Sequence, residues 1–566
     1  MNKETLEKIE FWKSYKDLDK TLKEELDHMS EEELEDAFTE DIAFGTGGLR
    51  GILGVGTNRM NIYVVMKTAL GFKNYLVKKF ANANQMGVVI AYDCRRNSRL
   101  FAEVSAQVLA TAGIKTYVFS SLRPTPELSY AVRYLKCAGG IMITASHNPP
   151  KYNGYKVYDE AGCQLVPLLA DQVIAEVEAI TDMFNIERRS FEELKDEGLI
   201  KIIDKEVDDP YLEEVKTVTV NKVKKDNIKI VYTPLHGTGS VHMVNLLRKE
   251  GYNVTPVPEQ MVPDGEFSTL KSPNPEEASA FEYSIKLGKK IDADVLIATD
   301  PDADRMGIAA KNDKGEYVLL TGNQTGAILL YYLAKNVKHD KNSYVFNTIV
   351  TSNIAKAICE KNDLTLVQTL TGFKYIGEQA ALLEGTNKKF FFGYEESYGS
   401  VIKPFVRDKD SFQATLLLSE VASYYKERGK TLVNVLNDLY DEYGYYMEGV
   451  LNISLVGLTG AARIKKIMNH FQTTPLASLG GKAIAIKEDY DKSVRYTSNG
   501  EEKITLPKSL VVRYLFADDG WVALRPSGTE PKLKIYIAIK EETEEKAASF
   551  IEKIKKEIMS IIDNIE

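Results

Sequence analysis

From about residue 87 to 146, short apolar runs alternate with amphipathic segments of helix length: VVIAYDCR, FAEVSAQVLATAG, IKTYVFSS, PELSYAVRYLKCAG and GIMITAS. Apolar runs of strand length between helix-period segments predict βαβ units and mixed, mostly parallel sheets. The rhythm recurs loosely. TAGIKTYVFSSLRPTPELSYAVRYLKCAGGIMITASHNPP is echoed by KEGYNVTPVPEQ and, after an insertion, by NPEEASAFEYSIKLGKKIDADVLIATDPDADR, with a shorter third instance in NKKFFFGYEESYG. Each copy sets a helix, a strand and then a loop dense in functional groups. Ligands collect beyond the carboxyl ends of strands in open α/β sheets, so the three loops are expected to share one crevice. Chance likeness between α/β segments is the competing explanation.

After about residue 445 the pattern changes. YMEGVLNISLVG, an amphipathic segment near ARIKKIMNHF, SLVVRYLFADDGWVALRPSGTEPKLKIYIAIK and a final helical stretch suggest an antiparallel sheet with helices on one side. The expected fold is therefore α/β: three related α/β domains with mixed, mostly parallel sheets, plus a C-terminal α+β domain, around a central cleft. Polar stretches place the domains at about residues 1–205, 206–320, 321–445 and 446–566, and 566 residues suit three or four domains. The first forty residues read as a solvated helical pair.

Composition narrows the function. A net charge of −9 and a pI near 5.6 argue against a nucleic-acid surface, which needs clustered Lys and Arg. No run approaches the ~20 apolar residues of a membrane span, and the charged N-terminus is unlike a signal peptide. The four cysteines are far apart, as expected of reduced thiols in a cytoplasmic protein, with no zinc spacing. Positive charge for an anionic ligand must therefore be local.

Four loops carry candidate chemistry. In DPDADR, Asp300, Asp302 and Asp304 sit at i, i+2 and i+4 after the strand-like ADVLIAT, where a turn can converge three carboxylates on Mg²⁺. An EF-hand is excluded, because Arg305 and Lys311 occupy the positions of its glycine and final glutamate. An exposed acidic turn is the competing reading, weakened by the mutual repulsion of three acids lacking a cation. In TASHNPPKYNGYK, neighbouring residues of an extended segment point to opposite faces, so His147 is expected to be poorly placed to deprotonate Ser146, and a G-x-S-x-G elbow is absent. Phosphoryl transfer suits the loop better. The prolines would restrain it, Asn153-Gly154 would turn it back, and Lys156 would supply a cation or a general acid/base. Alone, a Ser-His pair in a loop is also compatible with a structural role.

RPSGTEPKLKIY has the logic of an anion loop: Arg525 can grip a phosphate, Ser527 and Thr529 offer hydroxyls, and Gly528 lets backbone N–H groups approach. A plain hairpin connection fits the same string. GYEESYG offers Gly393, Glu395, Glu396 and Ser397 to a sugar's hydroxyls, or is a solvated acidic turn. AFGTGGLRG, ending near Arg50, matches neither a P-loop nor a dinucleotide fingerprint.

Together and in this order, TASHNPPKYNG, DPDADR, GYEESYG and RPSGTEPK resemble the phosphoserine, metal, sugar and phosphate loops of the α-D-phosphohexomutase family, and within it the bacterial phosphoglucomutase branch. The resemblance runs from about Ala43 to Tyr536. It implies a TATA-binding-protein-like fourth domain acting as a lid, a phosphoserine at Ser146, and Mg²⁺ held by that phosphate with Asp300, Asp302 and Asp304. It further implies interconversion of glucose 1-phosphate and glucose 6-phosphate, with glucose 1,6-bisphosphate as intermediate and primer. Arg50, His147 and Lys156 match positions around the phosphoserine, with Lys156 the leading general acid/base, while Arg305 would orient phosphate or carboxylate. Some relatives carry a histidine after the sugar-loop serine. Here Tyr398-Gly399-Ser400 stands instead, leaving Lys403, Arg407 and Lys409 as candidates for the partner acid/base.

Phosphomannomutase and phosphopentomutase activities use nearly the same apparatus. A Mg²⁺-dependent sugar phosphatase with Asp300 as nucleophile is the rival from another class, and it leaves Ser146 and the Arg525 loop without roles. A catalytically silent sugar-phosphate sensor is a third reading. The expected partners are small sugar phosphates, not nucleic acid or membrane, and oligomeric state is not legible.

Overall fold

The computed structural model describes residues 1–45, 47–455, 458–526 and 532–565, with the side chains of 458, 459 and 461 also left out. The chain forms two compact units: Met1–Gly322 with Phe373–Thr386 and Ser397–Thr431, and Asn323–Gly372 with Asn387–Glu396 and Leu432–Glu566.

The first unit holds two mixed sheets. One has the order Phe44–Gly45, Gly48–Ile52, Tyr152–Tyr158, Gly139–Ile143, Val88–Tyr92, Thr116–Phe119 and Ile200–Ile203. Val88–Tyr92 is parallel to both its neighbours, and every one of its residues is buried, which is why it reads as an unbroken apolar run. The helices Ser98–Thr111 and Thr125–Tyr134 supply the crossovers, burying Phe101, Val104, Val108 and Leu128, Ala131, Val132. The second sheet runs Tyr317–Leu320, Met306–Lys311, Val295–Thr299, Lys229–Thr233, Asn253–Pro256, with its last three strands parallel.

Two local expectations fail here. Asn153 and Gly154 do not form a turn but lie inside the strand Tyr152–Tyr158. The reversal is made earlier, where Asn148 N–H donates to Ala145 O at 3.1 Å and Tyr152 N–H to Pro149 O at 3.0 Å. Gly154 answers a packing need instead: a Cβ there would lie 2.5 Å from Thr144 O and 2.8 Å from Leu49 O. The N-terminal forty residues form three helices, Lys3–Ser14, Lys20–His28 and Glu31–Phe38, the last opened by a Ser30/Glu33 capping box. They are no solvated pair, because Trp12 is buried edge-on against Phe38, Tyr63 and Phe184 and joins the core of the first sheet. The charged surface of these helices hides a sparse apolar stripe.

The second unit carries a parallel three-strand ladder, Thr365–Thr369, Ser343–Thr348, Lys389–Tyr394. It also holds an antiparallel sheet ordered Tyr445–Ser454, Lys532–Glu541, Trp521–Pro526, Val512–Phe516, Lys482–Asp489, Val494–Thr497, Gly500–Lys503. Onto it pack Leu458–Thr473 and Glu544–Asp563, the latter through Ala547, Ile551, Ile554, Ile558 and Ile562 at helical spacing. No helix among the described residues is long and apolar enough to cross a membrane.

Candidate functional site

Ser146 follows the strand Gly139–Ile143 and sits at φ +50°, in the left-handed region that non-glycine residues avoid. The loop enforces this conformation. Ser146 N–H donates to Thr144 Oγ1 at 2.8 Å, Thr144 in turn to Asp93 Oδ2 at 2.7 Å, and Arg95 Nη2 to Ser146 O at 2.5 Å. Arg95 also donates to Pro149 O and Tyr152 O, so one buried guanidinium gathers the whole loop. Arg95 and Asp93 were missed in the sequence, although AYDCRR lies at the end of a strand, where such loops concentrate.

Ser146 Oγ donates to Asp300 Oδ2 at 2.8 Å. Its neighbour is nearer than alternation predicts, with His147 Nδ1 at 3.2 Å, because the left-handed turn replaces extended backbone. His147 Nδ1 also accepts from Arg305 Nη1 at 2.6 Å. Burial, then Arg305 and Arg50, hold the imidazole pKa well below its ordinary value. The serine proton is thus directed to a carboxylate, and the histidine is a neutral acceptor between guanidinium groups. Arg50 itself is exposed and donates to Asn148 Oδ1 at 3.2 Å.

The three aspartates converge as their spacing suggested. Oxygens of Asp300, Asp302 and Asp304 lie within 4.8 Å of one another, and all three residues are buried. Ala303 takes φ +51° to close the turn, and Asp300 Oδ1 accepts from the backbone of Asp304 and Arg305. Lys156 Nζ donates to Asp302 Oδ2 at 2.7 Å and stands 3.5 Å from Asp304; Lys409 Nζ lies 3.1 Å from Asp304 and 3.0 Å from Asp408. Burial alone would neutralise these groups. Against it, Lys156 keeps Asp302 strongly acidic, and Lys409 with Lys156 lowers Asp304. Asp300, without a lysine of its own, is pushed well up by burial and by the two other carboxylates. Burial works against the charge of Lys156 too, yet Asp302 and Asp304 outweigh it and raise its pKa.

These residues fit a hard dication. Asp302 Oδ1 and Asp304 Oδ1 are buried without hydrogen-bond partners, and the donor set is all oxygen. A cation there would satisfy both orphaned oxygens and relieve the repulsion felt at Asp300.

The residues of GYEESYG occupy the second unit as far as Glu396. Gly393 lies in the buried second half of the strand Lys389–Tyr394, and Glu395 accepts from Gly372 N–H at 2.9 Å. Glu396 accepts from Thr348 Oγ1 at 3.0 Å and Thr351 Oγ1 at 3.4 Å. Burial and the charge of Glu395 push its pKa up to about 7, partly opposed by Arg525. Ser397 belongs by contacts to the first unit. Arg525 closes the strand Trp521–Pro526, paired with Lys534. Ser527, Gly528 and Thr529 lie outside the described residues. Of the other candidate bases, Lys403 is exposed and Arg407 is tied to Glu384 and Pro404 O, whereas Lys409 reaches the aspartates.

Models of the phosphoglucomutase/phosphomannomutase α/β/α domains I, II and III match residues 41–183, 209–315 and 321–443, and the model of the C-terminal domain matches 499–557. The chain belongs to this family. A phosphoglucomutase of Staphylococcus epidermidis is 39% identical over 527 residues, covering 92% of this chain and 95% of its own. One of Staphylococcus aureus is 38% identical over 525 residues, covering 92% and 94%. Among solved structures, a phosphoglucomutase/phosphomannomutase family protein of Burkholderia thailandensis aligns with TM-score 0.68 at 16% identity, over 92% of this chain and 97% of its own. The Paramecium phosphoglucomutase pp63/parafusin, in its open form, aligns with TM-score 0.66 at 18% identity, over 93% and 96%. At such identities these two speak for the fold alone.

Proposed function

We propose that this family member is a phosphoglucomutase, interconverting glucose 1-phosphate and glucose 6-phosphate through a phosphoserine at Ser146 and a glucose 1,6-bisphosphate intermediate. The observation that carries the reading is Ser146 Oγ, held on Asp300 by a strained loop and surrounded by Asp302, Asp304, Lys156 and Arg305. Near-full-length likeness to proteins named phosphoglucomutase supports the choice of sugar.

In the forward direction the O6 hydroxyl of glucose 1-phosphate attacks the phosphorus carried on Ser146. The P–O6 bond forms as the P–Oγ bond breaks, the O6 proton passes to a basic group, and Ser146 is left free. After the bisphosphate reorients, Ser146 Oγ attacks the C1 phosphate and releases glucose 6-phosphate, regenerating the phosphoserine. Lys156, kept protonated by Asp302 and Asp304, is assigned the general-acid role of giving a proton to the departing Ser146 Oγ, and Lys409, beside Asp304 and Asp408, is its counterpart. Arg50, His147 and Arg305 orient the phosphate. Gly393, Glu395, Glu396 and Ser397 hold the sugar hydroxyls, while Arg525, Ser527, Gly528 and Thr529 grip whichever phosphate is not reacting. Mg²⁺, held by Asp300, Asp302, Asp304 and the phosphate on Ser146, supplies charge neutralisation at the transferring group when bound. The reading takes small sugar phosphates as substrates in the cytoplasm, with neither nucleic acid nor membrane as partner.

The test is a coupled assay with Mg²⁺ and glucose 1,6-bisphosphate as primer, comparing glucose, mannose and ribose 1-phosphates, together with intact mass of the purified protein. Fastest turnover of glucose 1-phosphate and a phosphate on Ser146 are expected. Preference for another sugar would overturn the substrate, and release of inorganic phosphate from an enzyme unmodified at Ser146 would overturn the mechanism.

A further inference from the structure

A second cluster of metal-ligating side chains lies in the first unit, outside the four loops. Glu127 is in the first turn of the helix Thr125–Tyr134, Asp208 in the first turn of Lys205–Lys216, and His242 immediately precedes Met243–Lys249. One ligand atom from each falls within 4.8 Å of the others. We propose that Glu127, Asp208 and His242 form a second cation site, distinct from Asp300, Asp302 and Asp304, that takes a divalent transition ion, with Zn²⁺ the first choice.

Three observations carry this. Glu127 is fully buried, yet neither carboxylate oxygen has a hydrogen-bond partner. Leaving such a group unsatisfied is costly unless a proton or a cation meets it. His242 Nε2 is buried and makes only a long contact with Asp208 Oδ2 at 3.5 Å, a pair that a shared ion could bridge. The charges also call for a cation. Arg123 donates to both oxygens of Asp208, at 2.9 Å each, and to Asp204 Oδ1 at 2.9 Å, so with Glu127 one guanidinium meets three carboxylates. Burial and Asp208 push the Glu127 pKa well up, and a dication would take the place of the proton it holds.

The donor set chooses the ion. Two carboxylates and an imidazole suit Zn²⁺ and its transition-metal neighbours better than Mg²⁺, which prefers oxygen alone. The exposed edge of His242 leaves room for water to complete the shell. The site would tie together three segments distant in sequence. It would also steady Thr125, two residues before Glu127, whose hydroxyl donates to Asp302 Oδ2 at 2.8 Å and whose N–H donates to Asp302 O at 2.9 Å. Its role is therefore structural, holding the helix that positions one of the aspartates.

The experiment uses full-length protein stripped with chelator, given Zn²⁺ alone and desalted, with bound metal counted by elemental analysis. Glu127→Gln and His242→Gln are each compared with wild type, and Asp302→Asn reports on the first cluster. Expected results are loss of one equivalent of Zn²⁺ in both Glu127→Gln and His242→Gln, and retention of one equivalent in Asp302→Asn. Zn²⁺ should raise the Tm of Asp302→Asn but not that of Asp302→Asn/His242→Gln. Co²⁺ should give a visible absorption band that His242→Gln removes. Unchanged Zn²⁺ stoichiometry in a His242→Gln protein that keeps the wild-type Tm without metal would overturn the site, as would complete loss of Zn²⁺ in Asp302→Asn. None of these readouts depends on mutase activity.

Discussion

Two groups of acids, both at the ends of strands, differ in the company they keep. Asp302 and Asp304 face Lys156 and Lys409, whose charges outweigh burial and keep them ionised. Glu396 has two threonine hydroxyls and the more distant field of Arg525, so burial and Glu395 win and its pKa rises to about 7. The acidic motif alone does not set the charge. Beside a lysine a buried carboxylate keeps its charge, whereas Asp300, without one, is pushed well up. A carboxylate that meets neutral hydroxyls can tolerate protonation, since a neutral carboxyl still accepts and gains a donor.

The sharpest way to break the contrast is at the serine. Ser146→Ala should reduce kcat by about 10⁴-fold or more, as loss of a covalent nucleophile does, and the intact mass should lose its phosphate adduct. Residual turnover near wild type would remove the phosphoserine from the mechanism. Next, Asp302→Asn should cost about 10² to 10⁴-fold, the several kcal/mol that a metal supplies to a charged transition state. It should also abolish the Tm increase that Mg²⁺ gives the wild type; an undiminished Mg²⁺ shift would place the ion elsewhere.

On the sugar side, the effect should follow pH. Glu396 has a pKa near 7 in the folded chain against 4.5 in the unfolded one, so the folded state binds the proton more tightly. Its contribution to stability is then fully present below pH 4.5 and lost as pH rises to about 7. Glu396→Gln, which cannot ionise, should match wild type near pH 4.5 and exceed it by about 3 kcal/mol above pH 7. Urea denaturation at several pH values measures this, and a pH-independent difference would refute the shift. The smallest effect is expected for Lys409→Met, about 10-fold in kcat, because Asp304 retains Lys156 at 3.5 Å. If Lys409→Met were as damaging as Lys156→Met, the two lysines would be equal partners.

Much of the serine and aspartate geometry was legible because it is local in sequence. Asp300, Asp302 and Asp304 alternate within five residues after an apolar strand, and Ser146 closes another. What alternation could not reveal was the left-handed backbone at Ser146, which brings His147 toward the hydroxyl and depends on Arg95, Thr144 and Asp93. Asn153-Gly154 misled for a related reason: glycine serves close packing as well as turns, and only the neighbouring strands distinguish the two. The N-terminal helices were legible as helices, whereas the burial of Trp12 depends on Tyr63 and Phe184, far along the chain.

By itself the sequence determined the alternation of strands and helices, the change to an antiparallel C-terminal sheet, and the convergence of the three aspartates. These are encoded by periodicity and by residues a few positions apart. Tertiary structure alone decided which charges meet. Ser146 and Asp300, 154 positions apart, meet in one hydrogen bond, and Lys409 reaches Asp304. Glu127, Asp208 and His242 converge from three separate helix starts. Burial then sets the strength of each encounter. Electrostatic interaction grows as water is excluded, so the same acid is ionised beside a lysine and poised near neutrality without one.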